Sequence, residues 1–107
     1  MIRLSFYEKD GLITGFECKG HSQTAEYGND AVCAFVSSAC YMTANTVTEI
    51  LKLNADARAT DGYMRLDIKD SPEKAQDILR GMKLHLTELQ KDYPENIKVG
   101  VSEINPD

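Results

Sequence analysis

Apolar and polar residues alternate at the start of the chain, and this pattern predicts a β-hairpin. Asp10-Gly11 interrupts the alternation with a dipeptide that suits a tight turn. The first predicted strand has an apolar face made of Ile2, Leu4 and Phe6. The second has a predicted inward face made of Leu12, Thr14, Phe16 and Cys18. We therefore expect two antiparallel strands.

The period changes after Asp30, where apolar residues recur every three or four positions and predict an amphipathic helix. Asn29 or Asp30 suits the N-cap, because a short side-chain oxygen can accept a hydrogen bond from a first-turn amide. The predicted inward stripe consists of Val32, Phe35, Val36, Ala39, Met42 or Thr43, Val47, Ile50 and Leu51. Residues 19–29 contain two glycines and show no period, which predicts a loop before this helix.

The second half repeats the scheme of hairpin and helix. Alternating residues on either side of Asp61-Gly62 predict a second hairpin. Pro72 and Glu73 mark the start of a second helix, and Pro94 marks its end. A final strand is predicted over residues 97–101. The order ββαββαβ, with two helices that each carry one apolar stripe, predicts a two-layer α+β fold with a mostly antiparallel or mixed five-stranded sheet.

Length and charge narrow the class of protein. The 107 residues suit a single domain over residues 1–107. No apolar stretch is long enough for a membrane span and no secretory signal is evident, so we expect a cytoplasmic protein without a membrane partner. The net charge of -5 disfavours direct nucleic-acid binding and favours a basic protein as partner.

The three cysteines match neither a disulfide framework nor a zinc site with paired cysteines. A metal site formed by Cys18, His21 and Cys33 is conceivable, but it lacks a fourth ligand. We therefore expect reduced thiols, no metal and no cofactor. Cys18 and Cys40 are more consistent with core packing than with catalysis, because free cysteine is usually buried.

Cys33 is the candidate nucleophile, because it falls in the first turn of the predicted helix, where the helix dipole stabilises a thiolate. His21 lies twelve residues earlier, in the glycine-bearing loop between Gly20 and Gly28, and could fold back onto this sulfur as a general base. A buried, inert cysteine and a solvated histidine are the alternative interpretation of the same positions. The amides of Cys33 and Ala34 are candidates for an oxyanion hole.

Two further polar residues lie beside the candidate nucleophile. Ser37 follows Cys33 by one helical turn, so it could support the thiolate or contact substrate, or it could simply be small enough for another element to approach. Asp30 could orient the catalytic groups, although a helix cap is the better explanation from position alone.

These residues together resemble the signature of the ribosomal-processing cysteine protease family. The resemblance is carried by Gly20-His21, by Gly28-Asn29-Asp30-Ala31-Val32-Cys33-Ala34 and by Val36-Ser37. By matching position, it implies Cys33 as nucleophile, His21 as base, and Asp30 and Ser37 in supporting roles. Ser22 and Ala31 depart from the family pattern, which leaves the packing of the loop and the substrate preference open but removes no catalytic group.

The resemblance also implies a substrate and an assembly. Members of this family are homodimers that remove the N-terminal extension of the precursor of ribosomal large-subunit protein twenty-seven during ribosome assembly, and they cut after two adjacent aromatic residues. Two other classes stay open from the residues alone. One is a non-enzymatic, ribosome-associated dimeric binding module, and the other is a thiol redox sensor that uses Cys33 with Cys18 or Cys40.

Overall fold

The computed structural model describes residues 1–20 and 30–103, which form a five-stranded mixed sheet and two α-helices. The elements in chain order are β1 Ile2–Lys9, β2 Leu12–Lys19, α1 Asp30–Asn45, β3 Ala55–Thr60, β4 Tyr63–Ile68, α2 Gln76–Asp92 and β5 Ile97–Glu103. A π-helical turn, Thr46–Ile50, extends α1, and a 3-10 turn, Pro72–Ala75, precedes α2. The predicted α+β class and the order ββαββαβ are confirmed.

The sheet has the order β3-β4-β2-β1-β5. Strand β1 pairs antiparallel with β2 and parallel with β5, while β4 pairs antiparallel with both β2 and β3. Each helix therefore connects two strands that run in the same direction, α1 from β2 to β3 and α2 from β4 to β5. This arrangement follows from chain geometry, because parallel strands need a long crossover and a helix is the usual one.

One core joins the sheet to both helices. The inward residues of β1 are confirmed, since Ile2, Leu4 and Phe6 are all buried. The spacing predicts an inward stripe for the second helix made of Ala75, Ile78, Leu79, Met82, Leu86, Leu89 and Tyr93. Ala75 in the 3-10 turn and Leu79, Met82 and Leu86 in α2 are buried, and the other three are half-buried. The buried side chains belong to the same cluster as Val36 and Val47 of the first helical segment.

The inward face predicted for β2 is wrong at its start. The register shifts between Tyr7 and Glu8, because Tyr7 pairs with Gly15 and Glu8 pairs with Ile13. Thr14 is thus an extra residue, a β-bulge, and it reverses the alternation before it. Ile13 is buried in place of Leu12 and Thr14, and the side chain of Gln76 bonds both its amide (2.9 Å) and its carbonyl oxygen (2.8 Å).

The stripe predicted for α1 is only partly correct. Val32, Val36, Thr43 and Val47 are buried, but Phe35, Met42, Ile50 and Leu51 are exposed. The predicted stripe spans too much of the helix circumference, because a helix buries only the side that faces its neighbours. Phe35 instead lies against the ring of Tyr93 at the end of α2, with ring centroids 6.2 Å apart.

Candidate functional site

Cys33 lies where the sequence predicts, in the first turn of α1. The helix begins at Asp30, so Cys33 is its fourth residue, and its side chain is half-buried. Residues four apart lie on one face of a helix, which brings Ser37 and Tyr41 into line with Cys33. The three side chains line one side of a cleft with a volume of about 570 Å³.

The opposite wall of this cleft is the turn between β3 and β4. Thr60, Asp61, Gly62 and Tyr63 all line it. The position of this turn follows from the pairing of β4 with β2. Tyr63, at the start of β4, pairs with Lys19 at the end of β2, so the β3–β4 turn lies beside the end of β2. The floor of the cleft is mostly apolar and is formed by Ile2, Cys18, Val36, Cys40 and Met64. The cleft therefore places the Cys33 side chain beside a mostly apolar floor and the polar residues of the β3–β4 turn.

Gly20 joins the cleft from the end of β2. Its φ angle is +94°, a backbone conformation that glycine adopts readily, and a Cβ atom there would collide with the carbonyl oxygen of Met1. Its amide donates a hydrogen bond of 2.8 Å to the carbonyl oxygen of Gly62. Gly20 and Cys33 both line the cleft. The chain is thus fixed at the cleft one residue before position 21.

Of the other predicted site residues, some line the cleft and some lie outside the described part of the chain. His21 and Gly28 lie outside the described residues. Asp30 is the first residue of α1, and its side chain likewise lies outside the description. Ser37 lines the cleft with Cys33, whereas Ala34 lines a separate apolar groove between α1 and α2. The structure therefore brings Gly20, Cys33 and Ser37 together and places the side chain of Ala34 elsewhere.

The remaining two thiols interact with each other below Cys33. Cys40 is buried on α1 and hydrogen-bonds the sulfur of Cys18 on β2. This hydrogen bond, together with burial, raises the pKa of the Cys40 thiol, because both favour the protonated form. The same hydrogen bond lowers the pKa of Cys18. Cys40 therefore keeps its proton and is a poor nucleophile, in agreement with the packing role predicted for it.

Within residues 1–20 and 30–103, no group of three or more His, Cys, Asp or Glu side chains is arranged to hold a metal ion. Neither of the α-helices described there is long and apolar enough to cross a bilayer.

The sequence did not single out Tyr41 or the β3–β4 turn as parts of the site. Tyr41 follows Ser37 by four residues, as Ser37 follows Cys33, so the same helical spacing could have identified Tyr41 as a site residue. No comparable signal identifies Asp61 or Gly62 beyond their turn chemistry. Their approach to Cys33 depends on the pairing of β4 with β2, which no local pattern contains.

Known proteins are similar to this chain over most of its length. The family model described as "Cysteine protease Prp" matches residues 1–98. The ribosomal processing cysteine protease Prp of Bacillus subtilis is 33% identical over 97 residues, which cover 84% of this chain and 87% of that protein.

Two solved structures share the fold over nearly the whole chain. One is an essential ribosomal processing protease Prp from Staphylococcus aureus in complex with a covalently linked product peptide, with a TM-score of 0.85 and 28% identity. The other is the S. aureus protease in complex with a substrate peptide, with a TM-score of 0.83 and 27% identity. Each comparison covers 95% of this chain and 100% of the other.

Proposed function

This chain is a cysteine protease of the Prp family, and from that premise we propose that Cys33 is its nucleophile and His21 its general base. The observation that carries the proposal is the cleft that Cys33 shares with Gly20. Gly20 directly precedes His21 in the sequence. We propose that the segment that follows Gly20 brings the imidazole to the sulfur of Cys33.

The proposed reaction proceeds in two steps through an acyl-enzyme. His21 takes the proton of the Cys33 thiol, and the thiolate attacks the carbonyl carbon of the scissile peptide bond. The C–N bond then breaks, and the leaving amine takes the proton back from the imidazole. Water, deprotonated by His21, then attacks the thioester and the C–S bond breaks. The imidazolium returns its proton to the Cys33 thiolate, and the product acid leaves and loses its own proton to solvent.

The start of α1 supplies the electrostatic part of the mechanism. The dipole of a helix that begins at Asp30 favours negative charge on a side chain in its first turn, which is where Cys33 lies. The amides of Cys33 and Ala34 are our candidates for binding the oxyanion.

Two supporting roles complete the proposal. The Ser37 hydroxyl lies one turn from Cys33 in the same cleft, where it can donate a hydrogen bond to the thiolate or to substrate. Asp30 begins the helix that carries the nucleophile, and we assign it the capping or orienting role predicted from its position.

The proposed substrate is the precursor of ribosomal large-subunit protein twenty-seven, cut after an aromatic pair in its N-terminal extension. The names of the similar proteins support a ribosomal protein as substrate. A net charge of -5 also favours encounter with a basic protein. We further propose that the enzyme works in the cytoplasm as a homodimer.

The test is mass spectrometry of the ribosomal precursor after incubation with the unsubstituted chain, with Cys33→Ala and with His21→Ala. We expect one cut after the aromatic pair, and a loss of about a thousandfold or more in rate for Cys33→Ala, because no other group supplies the nucleophile. Loss of the general base should cost about a hundredfold or more. Cys18→Ala, which removes a half-buried thiol from the floor of the same cleft, should cost far less in rate than Cys33→Ala. Cleavage that survives Cys33→Ala would overturn the assignment.

A further inference from the structure

The cleft extends well beyond the nucleophile along α1. Cys33, Ser37 and Tyr41 follow one another at four-residue steps, and all three line it. Each step of four residues advances about 6 Å along a helix, so Tyr41 lies about 12 Å from Cys33 along the axis. An extended peptide covers about 3.3 Å per residue. If an extended substrate lies along this face with its scissile bond at Cys33, the substrate residue next to Tyr41 is three to four residues from that bond.

Tyr41 offers an aromatic surface at that distance. Its side chain is 50% exposed although it lies on the wall of the cleft. An exposed aromatic ring can take the aliphatic stem of a lysine or arginine side chain, or its cationic group, against its face. The ring alone would accept apolar and cationic side chains alike, so a second group has to discriminate between them.

Asp61 supplies that discrimination from the opposite wall. It lies in the β3–β4 turn, exposed, and lines the same cleft. Two cations on the neighbouring strands are paired with other carboxylates: Lys19 with Glu17 at 3.6 Å, and Arg65 with Asp67 at 2.7 Å. A third, Arg58 on β3, lines a different pocket together with Arg65 and Asp67. Among the residues described, no cation forms a salt bridge with Asp61. Its carboxylate therefore remains available to a charge that enters the cleft.

We propose that Asp61 and Tyr41 form a specificity subsite for a lysine or arginine side chain of the substrate, three to four residues from the scissile bond. The carboxylate pairs with the cationic group and the ring packs against the aliphatic stem. This subsite deepens the proposed function and rests on it. It explains how a small cleft selects a basic protein by local contact rather than by overall charge alone.

The test uses pairs of peptides that share one aromatic pair at the cut site and differ only in carrying lysine or glutamine. The exchange is placed three, four or five residues from the bond, on each side in turn. For the unsubstituted chain we expect kcat/KM to favour the lysine peptide by roughly three- to tenfold at one such position, the range expected for a partly exposed ion pair. In Asp61→Asn the ratio should fall to about one.

The fold offers a matched control for Asp61→Asn. Asp10 occupies the other Asp-Gly turn of the protein, between β1 and β2, and does not line the cleft. Asp10→Asn removes the same charge from the other Asp-Gly turn, and it should keep the lysine preference of the unsubstituted chain. Asp61→Lys should reverse the preference, favouring a glutamate peptide over the lysine peptide. Tyr41→Ala should weaken the preference, and Tyr41→Phe should retain it.

Several outcomes would overturn the subsite. Equal kcat/KM for lysine and glutamine at every position would show that the cleft does not select a cation. An equal loss of preference in Asp10→Asn and Asp61→Asn would assign the effect to net charge. Failure of the unsubstituted chain to cut any peptide would contradict the proposed function, and the subsite with it. Binding of the same peptide pairs to Cys33→Ala gives a second measure of the ratio that needs no turnover.

Discussion

At the scale of single residues, Glu17 on the outward face of the sheet is a carboxylate with several polar partners. Glu17 accepts hydrogen bonds from the hydroxyl of Tyr63 (2.8 Å) and from the guanidinium of Arg65 (3.4 Å). Burial alone would raise the pKa of Glu17, but the hydrogen bond from Tyr63 and the charges of Lys19 and Arg65 outweigh it and lower the pKa below its usual value.

This shift predicts how acid destabilises the protein. Because the pKa of Glu17 is lower in the folded state, its contribution to stability is complete above the unfolded pKa near 4.5 and disappears as the pH falls through the folded pKa. Glu17→Gln should therefore lower Tm at neutral pH and flatten the loss of Tm below about pH 5. Glu95→Gln, at an exposed carboxylate, is the control, and identical Tm profiles for the two variants would contradict the prediction.

At the scale of elements, a backbone hydrogen bond joins the end of β2 to the β3–β4 turn. The hydrogen bond between the Gly20 amide and the Gly62 carbonyl connects them, and the segment that contains His21 starts at this connection. Gly20 cannot be replaced without strain, because its φ angle is positive and the carbonyl of Met1 occupies the space of a Cβ atom. The geometry of the cleft thus depends on the absence of a side chain at one position.

We expect Gly20→Ala to destabilise the fold by about 1 to 3 kcal/mol, from the positive φ angle and the steric collision together. It should also lower kcat/KM at temperatures where the variant is fully folded, since it displaces the start of the segment that contains His21. Gly100→Ala is the matched control, because a Cβ atom there meets nothing within 4 Å. Equal stability and equal cleavage rates for the two variants would refute this argument.

The elements also show where a local pattern fails. Periodicity predicts that β2 is a strand, but the bulge at Thr14 decides that Ile13 faces the core. Spacing predicts that α1 is amphipathic, but the packing of the sheet leaves Phe35 and Met42 exposed. In both elements, residues close in sequence determine whether a strand or a helix forms. Which side chains face the core is determined by contacts with elements distant in sequence.

At the scale of the whole molecule, net charge sets the long-range attraction for substrate. The chain carries 17 acidic against 12 basic residues, so a basic substrate is drawn to it before any contact forms. Screening reduces this attraction as ionic strength rises, since the Debye length falls from about 30 Å at 0.01 M salt to about 3 Å at 1 M.

We therefore expect kcat/KM for the ribosomal precursor to fall by roughly tenfold between low and high salt, with most of the change in the association rate. A neutral peptide with the same cut site is the control and should show little change. A salt-independent rate for the precursor, measured in initial-rate assays across this range, would eliminate steering as a source of selectivity.

The sequence by itself determined the type and order of the helices and strands, the inward faces of β1 and α2, and the placement of Cys33 in a helical first turn. These features follow from residues within a few positions of each other, so their spacing contains them. Only the tertiary structure decided the strand order, the bulge in β2 and the cleft in which Gly20, Cys33 and Asp61 meet. Those features depend on pairing between strands far apart in the chain, where hydrogen bonds and packing choose among registers that local patterns leave equivalent.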